Sequence, residues 1–177
     1  MTTTRLREQA SSTPRRPLDD HRRPDTSRAA IDELRDLAGS DDFVRTLLRS
    51  AQLAAEVRYC SQPDRLIDDL DALTSTGPFA GMLAIELLGA IDHEAADESL
   101  TALLSAPHPL LRRHAAWRLR RRHVTRAAVP SLLDMLVVGG IDTMHAHRTL
   151  RRWSASDATT LDLAIARLAA TGDGGQR

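Results

Sequence analysis

The sequence predicts an all-α protein, built as an α-solenoid (a superhelix of stacked helical pairs) of about nine helices. A weak repeat recurs at a fixed spacing, with copies that begin at Pro78, Pro109 and Gly140. Hydrophobic residues make up 42% of the chain but aromatic residues only 3%. The core must therefore consist of Leu and Ala, which favour helices over strands. A fixed period in this range is typical of stacked repeats, in which each unit buries its apolar face against its neighbours.

The copies of the repeat differ in how completely they keep one pattern. The strongest copy contains Pro109, Ala115 and Leu119. The earlier copy has the same residue types at all three positions, whereas the later copy keeps only the last two. The corresponding positions are Pro78, Ala84 and Leu88 in the earlier copy, and Gly140, Ala146 and Leu150 in the later one.

Caps, prolines and glycines mark where each helix begins and ends. Pro63, Pro78 and Pro109 each stand at a first helical position, where the missing N–H costs little. Apolar residues at spacings of three and four fill the intervening segments. The predicted helices span about 26–38, 42–59, 63–73, 78–90, 94–105, 109–122, 126–138, 141–152 and 158–170, with no strand.

The second predicted helix carries a long apolar stripe. Asp41 is expected to cap this helix. Its apolar residues recur at helical spacing, so we expect them to face the core. They are Phe43, Val44, Leu47, Leu48, Ala51, Ala54 and Ala55.

The chain divides into a disordered arm over residues 1–25, the solenoid domain over 26–171 and a disordered tail over 172–177. The arm is rich in Arg, Ser, Thr and Pro and has no central apolar stretch, unlike a secretory signal. No apolar run is long enough to span a membrane. Cys60 is the single cysteine, so no intrachain disulfide can form and we expect a cytoplasmic location.

Charge is segregated along the chain although the formal net charge is zero. Residues 29–99 carry a net charge of −10 and residues 100–153 carry +8, and every basic residue is Arg. In a solenoid, distance along the sequence becomes distance along the long axis, so the two ends have opposite charge. We expect weak, salt-sensitive, head-to-tail self-association.

The most suggestive segment for binding is the Arg-rich stretch 112–123. Leu111, Ala115 and Leu119 form its buried stripe, while Trp117 lies among arginines on a different face; Arg118 and Arg122 fall on a third. Arginines one repeat later could extend this ridge. The ridge could bind an acidic protein or nucleic acid. Alternatively, it is a solvated face, with Trp117 packed on the next repeat. The candidate partner-binding residues are Arg112, Arg113, Trp117, Arg120, Arg121, Arg148 and Arg152.

The repeat resembles the short bacterial HEAT-like repeats, a class also found in phycobilin lyases. The second helix of such a repeat opens with Pro and continues with an apolar residue, Arg, a pair of small residues and Leu. The match covers about residues 64–153 and lacks the usual Asp before the Pro, where Pro107-His108 stands instead. The residues that match are Pro109, Leu111, Arg112, Ala115, Ala116 and Leu119. The resemblance implies a family that is mostly built for binding.

We find no constellation that requires catalysis, a cofactor or a metal. His145 and His147 point about 200° apart on a helix and cannot chelate one ion. HEAT-like deoxyhypusine hydroxylases bind iron through several His-Glu pairs, but His93-Glu94 is the only such pair in this sequence. HEAT-like DNA glycosylases trap the damaged nucleotide with a cluster of aromatic residues, and two tryptophans are too few for such a cluster. Cys60 is expected to be a small buried hydrophobe. The sequence therefore predicts a non-catalytic binding module, a cytoplasmic adaptor or accessory protein for an acidic partner protein, with nucleic acid as the alternative.

Overall fold

A computed structural model of the chain describes residues 26–140 and 143–172. Over these residues the protein is all-helical, with nine α-helices and no strand. The predicted arm and all but the first residue of the predicted tail lie outside the described residues. The helices are α1 (Thr26–Ala38), α2 (Phe43–Val57), α3 (Pro63–Thr74), α4 (Pro78–Leu88), α5 (Glu94–Ala102), α6 (Pro109–Leu119), α7 (Val129–Val138), α8 (Thr143–Ser156) and α9 (Ala158–Gly172).

Local sequence signals account for most of these boundaries. Proline occupies the first turn of α3, α4, α6 and α7, as expected where the N–H has no helical partner. The Nδ1 atom of His108 accepts a hydrogen bond from the Leu110 N–H, so this histidine caps α6. α2 is capped by Asp42, whose carboxylate accepts from the Arg45 N–H, and the predicted cap at Asp41 is therefore wrong by one residue.

The even-numbered helices contact one another in chain order. α4 packs against α2 and α6, and α6 packs against α8. The odd-numbered helices pack on this row, each against the helix that follows it: α1 on α2, α3 on α4, α5 on α6 and α7 on α8. α4, which is apolar nearly all round, is the central element, and Ile85, Leu87 and Leu88 are completely buried in it. The core consists mainly of Leu, Ile and Ala, with Trp153 as its largest side chain.

The apolar stripe of α2 faces solvent, contrary to the prediction, except for Ala54, which is buried as expected. Phe43, Val44, Leu47 and Leu48 are 59%, 66%, 54% and 64% exposed. The face that packs against α1 and α4 contains Ser50, Leu53 and Val57 together with Thr46, whose hydroxyl donates to the Leu37 carbonyl. Small hydroxyl side chains permit close packing when their hydrogen bonds are satisfied locally, and this is why the most apolar stripe is not the buried one.

Candidate functional site

The structure divides the arginines of α6 and its C-terminal end into two groups. One group is paired with carboxylates or carbonyls and joins neighbouring helices. The other group forms no ion pair with a carboxylate among the described residues; in it, Arg121 stacks on Trp117 and Arg113 lines the same groove as Trp117. We call the second group, together with the arginines of α8 that lie near it, the arginine surface: Arg113, Trp117, Arg120, Arg121, Arg148 and Arg152.

Arg118 belongs to the structural group. Its side chain is 10% exposed, and its Nη1 donates to Glu86 Oε1 at 2.9 Å. Its Nη2 donates to the Glu86 carbonyl at 2.7 Å, so α6 is fastened to α4 through one residue. Burial lowers the pKa of Arg118, against the opposing effect of Glu86. His114 Nε2 lies 3.3 Å from the other oxygen of Glu86. Burial raises the pKa of Glu86, but the His114 hydrogen bond and the charge of Arg118 outweigh this effect and leave that pKa below its usual value.

Arg122 is also a structural residue. Its Nε donates to the Asp97 carboxylate and its Nη1 donates to the Ile91 carbonyl at 2.7 Å. Because its side chain is only 9% exposed, this arginine closes the α4–α5 loop against the end of α6. The sequence placed Arg118 and Arg122 on a face of their own, and the structure shows that this face is an interface between helices.

Arg112, one of the predicted partner-binding residues, has contacts that the prediction did not include. Its Nη1 donates to the carbonyls of Ala106 and Pro107, both at 3.0 Å. The guanidinium therefore holds the loop that precedes α6. The structure does not bring Arg112 together with the arginine surface.

Trp117 is half-buried and lies in the middle of the arginine surface. The guanidinium carbons of Arg121 and Arg118 lie 4.9 Å and 5.3 Å from the centre of its ring. The His114 ring centre lies 5.3 Å away. Both cations lie within the range of a cation–π interaction, so the indole is held by its neighbours and also shields them from water. Trp153, the other tryptophan, is 1% exposed and belongs to the core.

A shallow groove of about 220 Å³ lies beside Trp117, with walls from α4, α6 and α8. Its walls include Met82 from α4, Arg113 from α6 and His145 from α8. Burial, followed by the positive charges of Arg113, Arg148 and Arg120, lowers the pKa of His145. Arg113, Arg148 and Arg120 therefore lie close enough to His145 for their charges to act on its ring.

A larger cleft of about 750 Å³ lies at the C-terminal ends of the even-numbered helices. Arg58 follows α2, Arg121 follows α6 and Arg152 lies in α8, and all three are exposed lining residues. His123 and Tyr59 also line the cleft, and Asp92 is its acidic residue. The cleft can therefore accept an anionic group from a ligand.

Arg58 was not among the predicted binding residues. Arg121 and Arg152 are separated by one repeat length, and Arg58 precedes Arg121 by two repeat lengths to within a single position. The repeat register was therefore the signal that could have found it.

Three further side chains were considered from the sequence: Cys60, His145 and His147. Burial raises the pKa of the Cys60 thiol, which disfavours the thiolate that a nucleophile requires. His147 is exposed, whereas His145 lines the groove beside Trp117.

No group of three or more potential metal-binding side chains occurs within the part of the chain that the structure describes. No helix among the same residues is sufficiently long and apolar to cross a membrane. Comparisons of the chain with models of known protein families, with curated proteins and with solved structures find no match.

Proposed function

We propose that this chain is a HEAT-like α-solenoid that acts as a non-catalytic binding module for an acidic partner protein. The observation that carries the proposal is the arginine surface itself. Five arginines gather there on two adjacent helices without a carboxylate partner among the described residues, while Arg118 and Arg122 beside them are paired.

Recurring contacts at similar separations along the chain support the solenoid. Side-chain hydrogen bonds join residues that are 28, 32, 33 and 33 positions apart at successive points along the chain. These separations are close to the sequence period, as expected when each repeat stacks on the next. The pairs are Asp71–Ser99, Glu86–Arg118, Ala116–Thr149 and Asp134–Arg167.

Clustered guanidinium groups favour a ligand with several carboxylates. Each planar guanidinium can bind a carboxylate through two parallel hydrogen bonds, and arginine and tryptophan are the residues that most often dominate binding energy at protein interfaces. Carboxylates from a partner would offset the positive charges of Arg113, Arg148 and Arg120, which lower the pKa of His145 in addition to the larger effect of its burial.

The environment of Trp117 favours a protein partner over nucleic acid. Nonspecific binding of single strands uses aromatic faces on which bases stack. Arg121, Arg118 and His114 already surround this ring at 4.9–5.3 Å. A base would have to displace at least one of these groups, whereas an acidic peptide needs only the guanidinium groups.

Two double variants and a charge-matched control test the proposal. The two test variants are Arg113→Gln/Arg148→Gln at the groove and Arg121→Gln/Arg152→Gln at the cleft. The control Arg28→Gln/Arg35→Gln removes the same charge from α1, where both residues are exposed. The probe is a fluorescein-labelled poly-L-glutamate peptide, and binding is measured by anisotropy.

We expect each test variant to weaken binding by about tenfold, since two exposed ion pairs contribute roughly 0.5–1 kcal/mol each. The control should stay within about twofold of the wild type because its charges lie outside the arginine surface. Equal weakening by the control would reject a localised site. Binding of a single-stranded oligonucleotide, with a steep salt dependence and no binding of polyglutamate, would establish the nucleic-acid alternative instead.

A further inference from the structure

The exposed apolar face of α2 is a second surface that the proposed function does not use. Phe43, Val44, Leu47 and Leu48 lie side by side on it, and each is more than half exposed. The ring of Phe43 lies 6.4 Å from that of Phe79, so the patch continues onto the start of α4. We call Phe43, Val44, Leu47, Leu48 and Ala51 the α2 patch.

Folding of the chain does not account for the α2 patch. A different side of α2 already packs against α1 and α4. It consists of the small polar residues Thr46 and Ser50 together with Leu53 and Val57. A third side carries Arg49, whose Nη1 lies 3.0 Å from Glu56 and whose Nη2 lies 2.8 Å from Glu33. The patch therefore leaves about 500 Å² of apolar surface in water, which is near the upper end of what monomeric proteins expose.

The remaining N-terminal sequence is poorly suited to cover the patch. Residues 1–25 contain Met1, Leu6 and Leu18 as their only large apolar residues, and these are widely separated. The segment is otherwise Arg-, Thr-, Ser- and Pro-rich. Three widely separated apolar side chains are too few to cover the four large apolar side chains of the α2 patch.

We propose that the α2 patch is the interface of a symmetric homodimer, in which α2 packs antiparallel against α2 of a second copy. A two-fold axis near the middle of the patch would place Leu47 against Leu48 of the other copy and Val44 near its Ala51. Two patches that cover each other completely bury about 1,000 Å² of apolar surface, close to the roughly 1,200 Å² at which stable protein–protein interfaces begin.

The charges of α2 select the antiparallel arrangement. Asp41 and Asp42 stand at the N-terminal end of the helix, where Arg45 offsets one of their two charges, and Arg58 stands at the other end. Antiparallel pairing directs the acidic end of each helix toward the Arg58 end of the other, whereas parallel pairing places like charges together. Arg49 contributes little repulsion because Glu33 and Glu56 already neutralise it.

This dimer differs from the head-to-tail association that the charge segregation predicts. Apolar contacts persist at high ionic strength, whereas attraction between exposed charges is screened within about 8–10 Å at moderate salt. The contact is also closed, since a two-fold interface uses the same patch on both copies and leaves none for a third.

Sedimentation equilibrium at 1–100 μM protein in 0.5 M NaCl tests the proposal. The wild-type chain should be a dimer, and Leu47→Glu/Leu48→Glu should be a monomer with the same helical circular dichroism. The matched control is Val137→Glu/Val138→Glu, which changes two adjacent apolar residues of α7 that are 62% and 84% exposed. The control should remain a dimer.

Cross-linking tests the arrangement of the helices. In a Cys60→Ser background, Leu48→Cys lies beside the two-fold axis and should form an intermolecular disulfide rapidly on oxidation. Val138→Cys in the same background should not. A wild-type chain that is monomeric at 100 μM, an oligomer that dissociates in 0.5 M NaCl, or a dimer that survives the Leu47/Leu48 change would each overturn the proposal.

Discussion

Replacing Gly89 with alanine should destabilise the protein through Arg118. Gly89 has a φ of −67°, which any residue can adopt, so the backbone alone would favour alanine by about 0.4–1 kcal/mol. A Cβ atom at this position would lie 2.9 Å from Cζ and 3.0 Å from Cδ of Arg118, and still closer to its Nε. The arginine side chain would therefore have to move.

The magnitude follows from the hydrogen bonds that this movement breaks. Arg118 donates to the Glu86 carboxylate and to the Glu86 carbonyl at 2.9 and 2.7 Å, and its side chain is 10% exposed. A hydrogen bond to a charged group contributes about 1.5–3 kcal/mol. After the backbone gain and the remaining His114 contact are taken into account, we expect a net loss of about 2–4 kcal/mol in the free energy of unfolding.

Urea denaturation followed by circular dichroism measures this effect in a double-mutant cycle. Gly89→Ala should be neutral or slightly stabilising in an Arg118→Ala background, because the clashing atoms are gone. Gly39→Ala is the control, since its Cβ would meet nothing closer than 3.7 Å. A Gly89→Ala protein as stable as the wild type, or an equal loss in both backgrounds, would refute the reasoning.

Three further perturbations test the core, the contact between α6 and α8, and the groove. Leu119→Ala should cost about 2–5 kcal/mol in urea denaturation, because Leu119 is fully buried. Thr149→Val should cost about 1 kcal/mol, because the Thr149 hydroxyl donates to the Ala116 carbonyl at 2.7 Å. Its control is Ser154→Ala, which loses only a hydrogen bond within α8 and should change stability by less than about 0.5 kcal/mol. The lowered pKa of His145 means that below about pH 6.5 the unfolded chain binds a proton that the folded chain does not. Thermal stability should therefore fall as the pH decreases from 7.5 to 5.5, and His145→Gln should reduce this slope; an unchanged slope would contradict the interpretation.

Periodicity was sufficient to predict the helices because the signals involved are local. Proline at the first turn, together with apolar residues at spacings of three and four, gave the start of α3, α4 and α6 correctly. The helix ends were predicted less well: α6 was expected to reach residue 122 but ends at Leu119. Beyond this end, Arg122 bonds the Asp97 carboxylate of α5 and the Ile91 carbonyl of the α4–α5 loop, and these partners lie outside α6.

Within one helix, the sequence also separated the faces correctly. Arg113 and Trp117 lie on one face and Arg118 on another, as helical geometry requires. The chemistry of those faces could not be read in the same way. The sequence did not distinguish Arg118 from an exposed arginine, because its partner Glu86 lies 32 positions away in the chain.

The sequence by itself determined that this protein is helical, where α3, α4 and α6 begin, and which side chains share a face, because these properties depend on neighbours within a few residues. Only the tertiary structure decided how each helix is rotated against the others. That rotation buries Thr46 and Ser50 of α2 while its apolar stripe stays in water, and it brings Arg58 beside Arg121 and Arg152. The physical reason is that rotation is set by packing against residues about one repeat away, and no pattern within a single helix carries that information.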